Sequence, residues 1–394
     1  MKRSLSTQVI GRSRKFLNGL LGGADKRRLK VIPELVQGIL ASGSLVLSQI
    51  SRALVREGKS LKGLENHFSR QLSSPYWRDG NLRERMLRAA APYVGPNTLI
   101  AVDLSDIAKP RARTLEGLGW MWDGSEGKVG WGYWTFEAYA RLDDATILPL
   151  LNYVYTLEMP PLRSEVGIAE ESFRKLVGVL GRRGIYLMDR GFDGWELFSR
   201  LEPLEVRFIT RLRGDRSILD ESGEPIGLEE EVARRVPCSH WMPHKKIALK
   251  IGYTPVRIPN LKRTYTMVVA WFPDAKNPLM LLTTEPVRNA LEAEKIVRWY
   301  FQRWSVEEAI RIAKQEMGLE TVRVYAFHAI ERLVQMAYLA MLVLVVIQQL
   351  PEKSVAHLKR LWPTFRRECR HEYYRLIWGL RALFGTLAPC RIHL

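Results

Sequence analysis

The chain has 394 residues, enough to bury one large core with smaller attached domains. Its three cysteines, Cys238, Cys369 and Cys390, are odd in number and widely spaced, which argues against a disulfide framework and favours a reducing compartment. Residues 1–30 are basic and contain no apolar segment, so no secretory signal is expected.

The formal net charge of +18 is distributed unevenly along the chain. Residues 1–100 carry 18 Lys and Arg against 6 Asp and Glu, and residues 351–394 carry 9 against 3, whereas the middle of the chain is neutral. Two basic ends around a neutral core indicate arms that hold a nucleic acid more than a surface adapted for solubility. A basic cluster near the N-terminus is predicted to contact phosphates, with a nuclear-localisation signal as the alternative: Lys26, Arg27, Arg28 and Lys30.

The first 95 residues have a helical pattern, and a helix-turn-helix within residues 45–72 is compatible with it. A boundary is expected near residues 92–96. Strands are then predicted at residues 98–102, 136–142, 147–156, 185–188 and 207–212, with helices at residues 165–180 and from about residue 195. Three strands, a helix, a strand, a helix and a strand is the connectivity of an RNase H-like α/β domain.

Residues 213–286 are rich in Gly, Pro and short β-like runs, which predicts a β-rich insertion, and helices resume near residue 289. The apolar run at residues 336–347 is too short for a membrane span, so a buried core helix is expected and no membrane partner. We therefore predict three parts: a helical, basic DNA-binding domain at residues 1–96, an RNase H-like catalytic domain at 97–330, and a helical C-terminal region at 331–394 that serves dimerisation.

Two aspartates directly follow short apolar strands, Asp103 after residues 98–102 and Asp189 after residues 185–188. Carboxylates at strand ends point into the crevice where α/β folds keep their sites. Two of them side by side would repel unless a cation bridged them, and Mg²⁺ prefers such oxygen ligands. Asp106 is a rival to Asp103, which is preferred because it directly ends its strand. The alternative is that each aspartate caps a turn.

The helix predicted near residue 300 presents a charged stripe. At about 100° per residue, one face about 60° wide and about 21 Å long would carry Tyr300, Arg303, Glu307 and Lys314. A phenol, two cations and a carboxylate suit a metal ion and a track of phosphates. The alternative is a solvated face in which Arg303 and Glu307 form an ordinary i,i+4 pair.

The run from Tyr300 to Lys314 matches the YREK signature, Y-x2-R-x3-E-x6-K, and thereby resembles bacterial DDE transposases of the insertion-sequence-four family. The run Asp189-Arg-Gly-Phe-Asp193 is similar to the D-R-x-x-D around that family's second aspartate. The residues from Asp103 to Lys109 resemble the first-aspartate region. The resemblance covers about residues 98–330.

The resemblance implies cut-and-paste transposition in which Asp103, Asp189 and Glu307 hold two divalent ions, Mg²⁺ or Mn²⁺. Tyr300, Arg303 and Lys314 would then grip phosphates, with Asp193 behind them. The implied partners are double-stranded transposon ends, target DNA and a second protomer in a synaptic complex. The implied location is the prokaryotic cytoplasm, in association with the nucleoid.

One position departs from the family pattern. Relatives that form hairpins at the transposon end carry a tryptophan 21 residues before the signature tyrosine, and Leu279 stands there in this chain. A base-flipping step is therefore not expected to use this position. Two other functions are compatible with the sequence: an RNase H-like nuclease that cuts without transposing, and a catalytically inactive DNA-binding protein derived from a transposase.

Overall fold

The computed structural model describes residues 4–55, 60–123, 127–143, 146–159, 164–219, 223–228, 232, 238–242, 247–273, 275–361 and 372–386. Two compact, discontinuous units make up the chain. The first unit comprises Met1–Tyr93, Ser105–Arg163 and Glu308–Leu394, and the second comprises Val94–Leu104 and Ser164–Glu307. The predicted division into three continuous domains, at residues 1–96, 97–330 and 331–394, stays a prediction.

Helices dominate both ends of the chain. In chain order they are α1 (Leu5–Leu20), α2 (Arg28–Ser42), α3 (Leu47–Leu54), α4 (Leu61–Leu72), α5 (Leu82–Ala90), α6 (Glu165–Leu180), α7 (Trp195–Leu201), α8 (Ala290–Phe301), α9 (Ser305–Arg311), α10 (Phe327–Gln348), α11 (Glu352–Arg360) and α12 (Glu372–Thr386). Short polar side chains fix several starts by accepting a backbone N–H of the first turn: Ser4 caps α1, Ser164 caps α6 and Asn289 caps α8.

The strands lie between these helical ends. They are β1 (Leu99–Ala108), β2 (Gly119–Asp123), β3 (Lys128–Arg141), β4 (Ile147–Tyr155), β5 (Ile185–Met188), β6 (Phe208–Arg211), β7 (Ser217–Leu219), β8 (Pro225–Gly227), β9 (Cys238–Met242), β10 (Ile247–Arg257), β11 (Thr264–Trp271) and β12 (Leu279–Thr283).

The sheet order in the second unit is β1-β5-β6-β12-β11-β10-β7-β8, with β9 also paired to β10. The β1–β5 and β5–β6 pairs are parallel, whereas the pairs from β6–β12 onward are antiparallel. The parallel strands β5 and β6 are joined through α7, and the strands β7 to β12 lie within the predicted insertion at residues 213–286. The α/β fold class with a central mixed sheet and helices at both ends is confirmed.

In the first unit, β3 pairs with β1, β2 and β4. Strand β1 extends to Ala108, so the prediction that it ends before Asp103 was wrong. The extension is closed by Lys109, whose backbone N–H donates to the Trp131 carbonyl over 2.7 Å. Gly132 allows this approach, since a Cβ there would lie 2.5 Å from the Ile107 carbonyl oxygen.

The hairpin of β2 and β3 was not predicted from the sequence. Its facing pairs Trp120–Trp131 and Trp122–Val129 occupy one side of the ribbon, and the rings of Trp120 and Trp131 stack at 4.0 Å. Trp120 and Trp122 are each more than half exposed. Alternating indoles and glycines lack the apolar-polar alternation by which a half-buried strand is recognised.

Helix α10 is the core helix of the first unit. It packs against β4 and the N-terminal helices, as expected for the apolar run at residues 336–347. The helix has 22 residues, and its most apolar 18-residue window has a mean hydropathy of 2.0, so the helix reaches the length and composition of a membrane span although the apolar run at 336–347 is shorter. Burial accounts for the same composition, because 89% of that apolar window lies inside the structure.

The core of the second unit forms between α8 and the sheet. Helix α8 contributes Ala293, Ile296, Val297 and Tyr300, spaced by three and four residues as one helical face requires. They pack on buried residues of β5, β6 and the insertion strands β10, β11 and β12. This buried face ends at Tyr300. The packing of α8 on the sheet therefore fixes the position of the following residues, among them Arg303 and Glu307.

A buried lysine follows strand β1. Lys109 is 6% exposed, and its Nζ donates to the carbonyl oxygens of Glu320 at 2.6 Å and Val322 at 2.8 Å. Burial lowers the pKa of Lys109 from 10.5 to about 8, against a smaller opposing effect of the Glu320 charge.

This lysine should make stability rise with pH. Between pH about 8 and 10.5 the folded state binds fewer protons at Lys109 than the unfolded state does, so the free energy of unfolding increases with pH. We expect wild type to gain up to about 3 kcal/mol over this window relative to Lys109→Met. Urea denaturation at several pH values measures the difference. Lys62→Met, at a 72% exposed side chain, is the control, and parallel curves for Lys109→Met and wild type would refute the expectation.

Candidate active site

Two aspartates lie together at the end of the parallel strand pair. The register between β1 and β5 runs from Leu99–Ile185 to Val102–Met188. Asp103 and Asp189 are therefore the next residues on adjacent parallel strands, at the carboxyl ends of their paired segments. Both side chains are partly exposed. The sequence placed these aspartates correctly relative to β5, although β1 itself continues beyond Asp103.

Asp189 is held firmly by its neighbours. Its carbonyl oxygen accepts from the Thr210 hydroxyl at 3.2 Å, and its Oδ1 accepts from the Gly191 backbone N–H at 2.7 Å. The carboxylate thus caps the short 3₁₀ turn Arg190–Phe192. Capping uses one oxygen of Asp189 and orients the carboxylate. The residue can therefore both cap the turn, as the alternative prediction stated, and serve a functional role through its second oxygen.

Asp193 anchors the loop that follows. It is 2% exposed, its Oδ2 accepts from the Arg213 backbone N–H at 2.6 Å, and the Arg216 guanidinium lies 3.4 Å away. Burial raises the pKa of Asp193, opposed by its hydrogen bond from Arg213 and by the charge of Arg216. Arg216 also lies over the Trp195 ring. Asp193 thereby ties the loop after β5 to the segment after β6.

The segment from Tyr300 to Lys314 is not one regular helix. Helix α8 ends at Phe301, a 3₁₀ turn follows at Gln302–Trp304, α9 covers Ser305–Arg311, and a π-helical turn covers Ile312–Glu316. The stripe calculated at 100° per residue was therefore wrong in its regular geometry. A π-turn inside a helix rotates the following residues around the axis, which changes the direction of Lys314.

Arg303 is the electrostatic centre of the second unit's charged groups. Its side chain is 13% exposed and donates to Glu307 Oε1 at 3.3 Å. Burial lowers the pKa of Arg303, but neighbouring charges offset this and leave the pKa raised. The groups responsible are Tyr300, Asp103, Asp189 and Glu307. One guanidinium therefore interacts with all three predicted catalytic carboxylates.

Tyr300 lies beneath this arginine. The side chain is 5% exposed, and burial raises the pKa of its phenol, against the opposing charges of Arg303 and Arg211 and a hydrogen bond with Arg303. Tyr300 is thus a neutral phenol that packs into the core on one side and contacts the Arg303 guanidinium on the other.

Two further arginines of this group were not predicted as site residues. Burial lowers the pKa of Arg211, at the end of β6, and the charges of Arg190 and Arg303 lower it further. The available signal was position: Arg211 ends a strand adjacent to β5, and Arg190 directly follows Asp189. Cations at strand ends beside carboxylates suit the binding of a phosphate.

Lys314 and Asp106 form a separate pair in the first unit. Lys314 Nζ lies 3.2 Å from Asp106 Oδ2 and 3.3 Å from Glu320 Oε1. Burial lowers the pKa of Lys314, but these two carboxylates outweigh it, so the pKa is raised. Asp106 is thus partnered by a lysine, whereas Asp103 interacts with the Arg303 group.

The basic cluster near the N-terminus is divided by the structure. Lys26, Arg27 and Lys30 are exposed, but Arg28 is 1% exposed. Its guanidinium donates to Gln71 Oε1 at 2.8 Å and stacks on the Trp77 ring at 4.1 Å. The prediction that Arg28 contacts phosphate was therefore wrong, because the side chain is used inside the helical bundle.

Within the described ranges, no three His, Cys, Asp or Glu side chains are grouped closely enough to hold a metal ion. The charges of Asp103, Asp189 and Glu307 all act on Arg303, but the three carboxylates do not form a closed ligand set.

Comparison with known proteins identifies part of the chain. Among curated proteins, none matches this sequence. A cryo-EM structure of the piggyBac transposase synaptic complex with hairpin DNA is similar at a TM-score of 0.44 and 11% identity. The alignment covers 84% of this chain, which spans 62% of the length of that one. Residues 167–343 match the family model of the transposase DDE domain, within which Asp189 and Glu307 lie. This segment of the chain is therefore similar to a transposase DDE domain.

Proposed function

We propose that this protein is a DNA transposase that cleaves and rejoins the DNA of a mobile element through Asp103, Asp189 and Glu307. The observation that carries the proposal is the shared interaction of these three carboxylates with Arg303. Two of them follow adjacent parallel strands, and the third follows the helix that packs on the same sheet. Glu307 and Asp189 also lie within the segment that matches the transposase DDE domain.

The chemistry of this donor set fits hard divalent cations. Carboxylate oxygens are the ligands that Mg²⁺ and Mn²⁺ prefer. In the structure these three carboxylates are not grouped closely enough to hold an ion. We propose that Asp103, Asp189 and Glu307 would come together to hold two such ions. When bound, the ions would supply activation of the attacking hydroxyl and stabilisation of the leaving oxygen.

The cations around the carboxylates have a separate task. Arg211 is repelled by the charges of both Arg190 and Arg303, and a phosphate would relieve this repulsion. We assign them to binding the phosphodiester beside the scissile bond, with Tyr300 holding Arg303 from below. Lys314 is assigned to a phosphate contact as well, once DNA competes with Asp106 for its ammonium group.

The finer assignment rests on the YREK spacing from Tyr300 to Lys314, which favours an insertion sequence of the insertion-sequence-four family. The partners would be double-stranded transposon ends, target DNA and a second protomer, and the location the prokaryotic cytoplasm. The basic ends of the chain support a DNA partner. A nuclease of the same fold that does not transpose would use the same carboxylates, and inverted repeats flanking the gene would distinguish the two.

Neutral variants of the three carboxylates should abolish strand cleavage. We expect Asp103→Asn, Asp189→Asn and Glu307→Gln each to slow cleavage of a transposon-end duplex at least about a thousandfold, or about 4 kcal/mol of transition-state stabilisation. Asn at residue 189 can still accept from the Gly191 N–H, so the turn is preserved. Duplex binding, measured by fluorescence anisotropy, should change little.

Glu196→Gln is the matched control, since Glu196 is an exposed acid of the same unit paired with Arg200. Asp106→Asn tests the rival position. Cleavage by the Asp103 variant at the wild-type rate, with loss of cleavage in the Asp106 variant, would transfer the role to Asp106. Cleavage by all the variants would exclude the proposed chemistry.

The exposed members of the basic cluster should contribute to DNA affinity. Each neutralised phosphate contributes about −0.9 to the slope of log affinity against log salt, so Lys26→Ala with Arg27→Ala and Lys30→Ala should flatten the slope by up to about 2.7. Arg28→Ala should instead lower the free energy of unfolding by about 2 kcal/mol, because it removes a buried charged hydrogen bond. Anisotropy across a salt series and urea denaturation measure the two effects. An unchanged slope in the triple variant would remove these residues from the DNA interface.

A further inference from the structure

The first unit contains a cleft whose lining residues have no part in the proposed catalytic site. Its volume is about 780 Å³, within the range of ligand-binding clefts. Helices α1 and α5 form two of its walls, and the end of α10 closes it with Val346 and Gln349.

Each of the two helices presents one face to the cleft. From α1 the lining residues include Arg12, Lys15 and Gly19, and from α5 they include Arg85 and Arg88. Spacings of three and four residues place such residues on one side of a helix. From Arg12 to Gly19 the wall extends for about 10 Å at 1.5 Å per residue.

The walls are strongly cationic. Among the described residues, four cations line the cleft, Arg12, Lys15, Arg85 and Arg88, and Glu84 is the one acid. Arg88 is paired with Glu84 at 2.6 Å, which leaves three positive charges in excess. Like charges around one cavity repel, so an anionic ligand would stabilise the arrangement.

Two of the arginines are fixed by hydrogen bonds that use only some of their N–H donors. Arg85 donates from Nε to the Gly80 carbonyl at 2.7 Å and from Nη1 to the Leu20 carbonyl at 3.3 Å. Arg12 donates from Nη2 to Gln349 Oε1 at 2.8 Å, while its buried Nε has no hydrogen-bond partner among the described residues. A guanidinium has five N–H donors, so both retain capacity for anionic oxygens.

We propose that this cleft binds the sugar-phosphate backbone of duplex DNA, as a contact distinct from the carboxylate site. The inference rests on the proposed function for the identity of the polyanion. Each strand of duplex DNA carries one phosphate per about 3.4 Å of the helix axis, so a wall about 10 Å long matches the axial rise of roughly three base pairs. Aromatic lining is limited to Phe16 and Tyr93, and Tyr93 is hydrogen-bonded to Gln349, so recognition is by charge.

The test compares two double variants of equal charge change. Lys15→Gln with Arg88→Gln removes two cations of the cleft. Arg174→Gln with Lys175→Gln removes two cations of α6, and Arg174 matches Arg88 in being 62% exposed and paired with a glutamate four residues away. Affinity for a fluorescein-labelled duplex of arbitrary sequence is measured by anisotropy between about 50 and 200 mM salt.

The cleft variant should have a salt slope flatter than wild type by about 1.8, so that this rise in salt costs it about tenfold less affinity. The α6 variant should keep the wild-type slope. Equal slopes in the cleft variant and wild type would overturn the proposal, and so would equal changes in both double variants.

Competition separates a DNA backbone site from a site for a small phosphate. Millimolar dAMP should leave duplex binding to wild type unchanged, whereas displacement that is lost in the cleft variant would reassign the cleft to a mononucleotide. Cleavage by the carboxylate variants is scored independently. If the cleft variant keeps the wild-type salt slope while Asp189→Asn loses cleavage, only the proposal for the cleft is rejected. If the cleft variant has a flatter slope while Asp189→Asn still cleaves DNA, only the proposed catalytic function is rejected.

Discussion

The parallel pairing of β1 with β5 is the constraint on which the candidate site depends. Because the paired segments end together at Val102 and Met188, the chain must place Asp103 and Asp189 side by side. Two adjacent carboxylates repel, and the structure meets this cost with a cation, Arg303, carried by the segment after α8. The position of Arg303 in turn follows from the burial of the α8 face that ends at Tyr300. Strand pairing, helix packing and charge balance thus define a single arrangement.

The carboxylates around Arg303 are offset by a positive charge but keep oxygen atoms that can bind another ligand. Asp189 spends one oxygen on capping a turn, and Glu307 is half exposed, so both retain capacity for a metal ion or a substrate. Asp193, by contrast, is buried and bonded to the backbone of Arg213. The two aspartates of one short motif therefore differ in kind: the first faces outward from the strand end, and the second fastens the loop that supports it.

The same contrast separates the arginines of the N-terminal region. Arg28 is enclosed by Gln71 and Trp77, whereas Arg27 and Lys30 beside it are exposed. In the cleft between α1 and α5, Arg85 is fixed by carbonyl oxygens yet keeps unused donors. A count of positive charges along the sequence does not distinguish these side chains. Only those whose N–H donors are not already used inside the protein can bind phosphate.

The sequence by itself determined the order β1, β3, β4, α6, β5, α7 and β6, and the position of Asp189 after β5, because these depend on local apolar patterning. It also determined the spacing from Tyr300 to Lys314. The direction in which the chain leaves α8 toward Arg303, and the position of Arg211 beside Arg303, were decided by packing between segments distant in the chain. So were the continuation of β1 to Ala108, which needs the Trp131 carbonyl and a glycine at 132, and the Trp120–Trp131 hairpin. The π-turn before Lys314 and the burial of Arg28 belong to the same class. Periodicity records which face of an element is apolar, whereas the partner that covers that face, and the charges it brings with it, exist only in the folded chain.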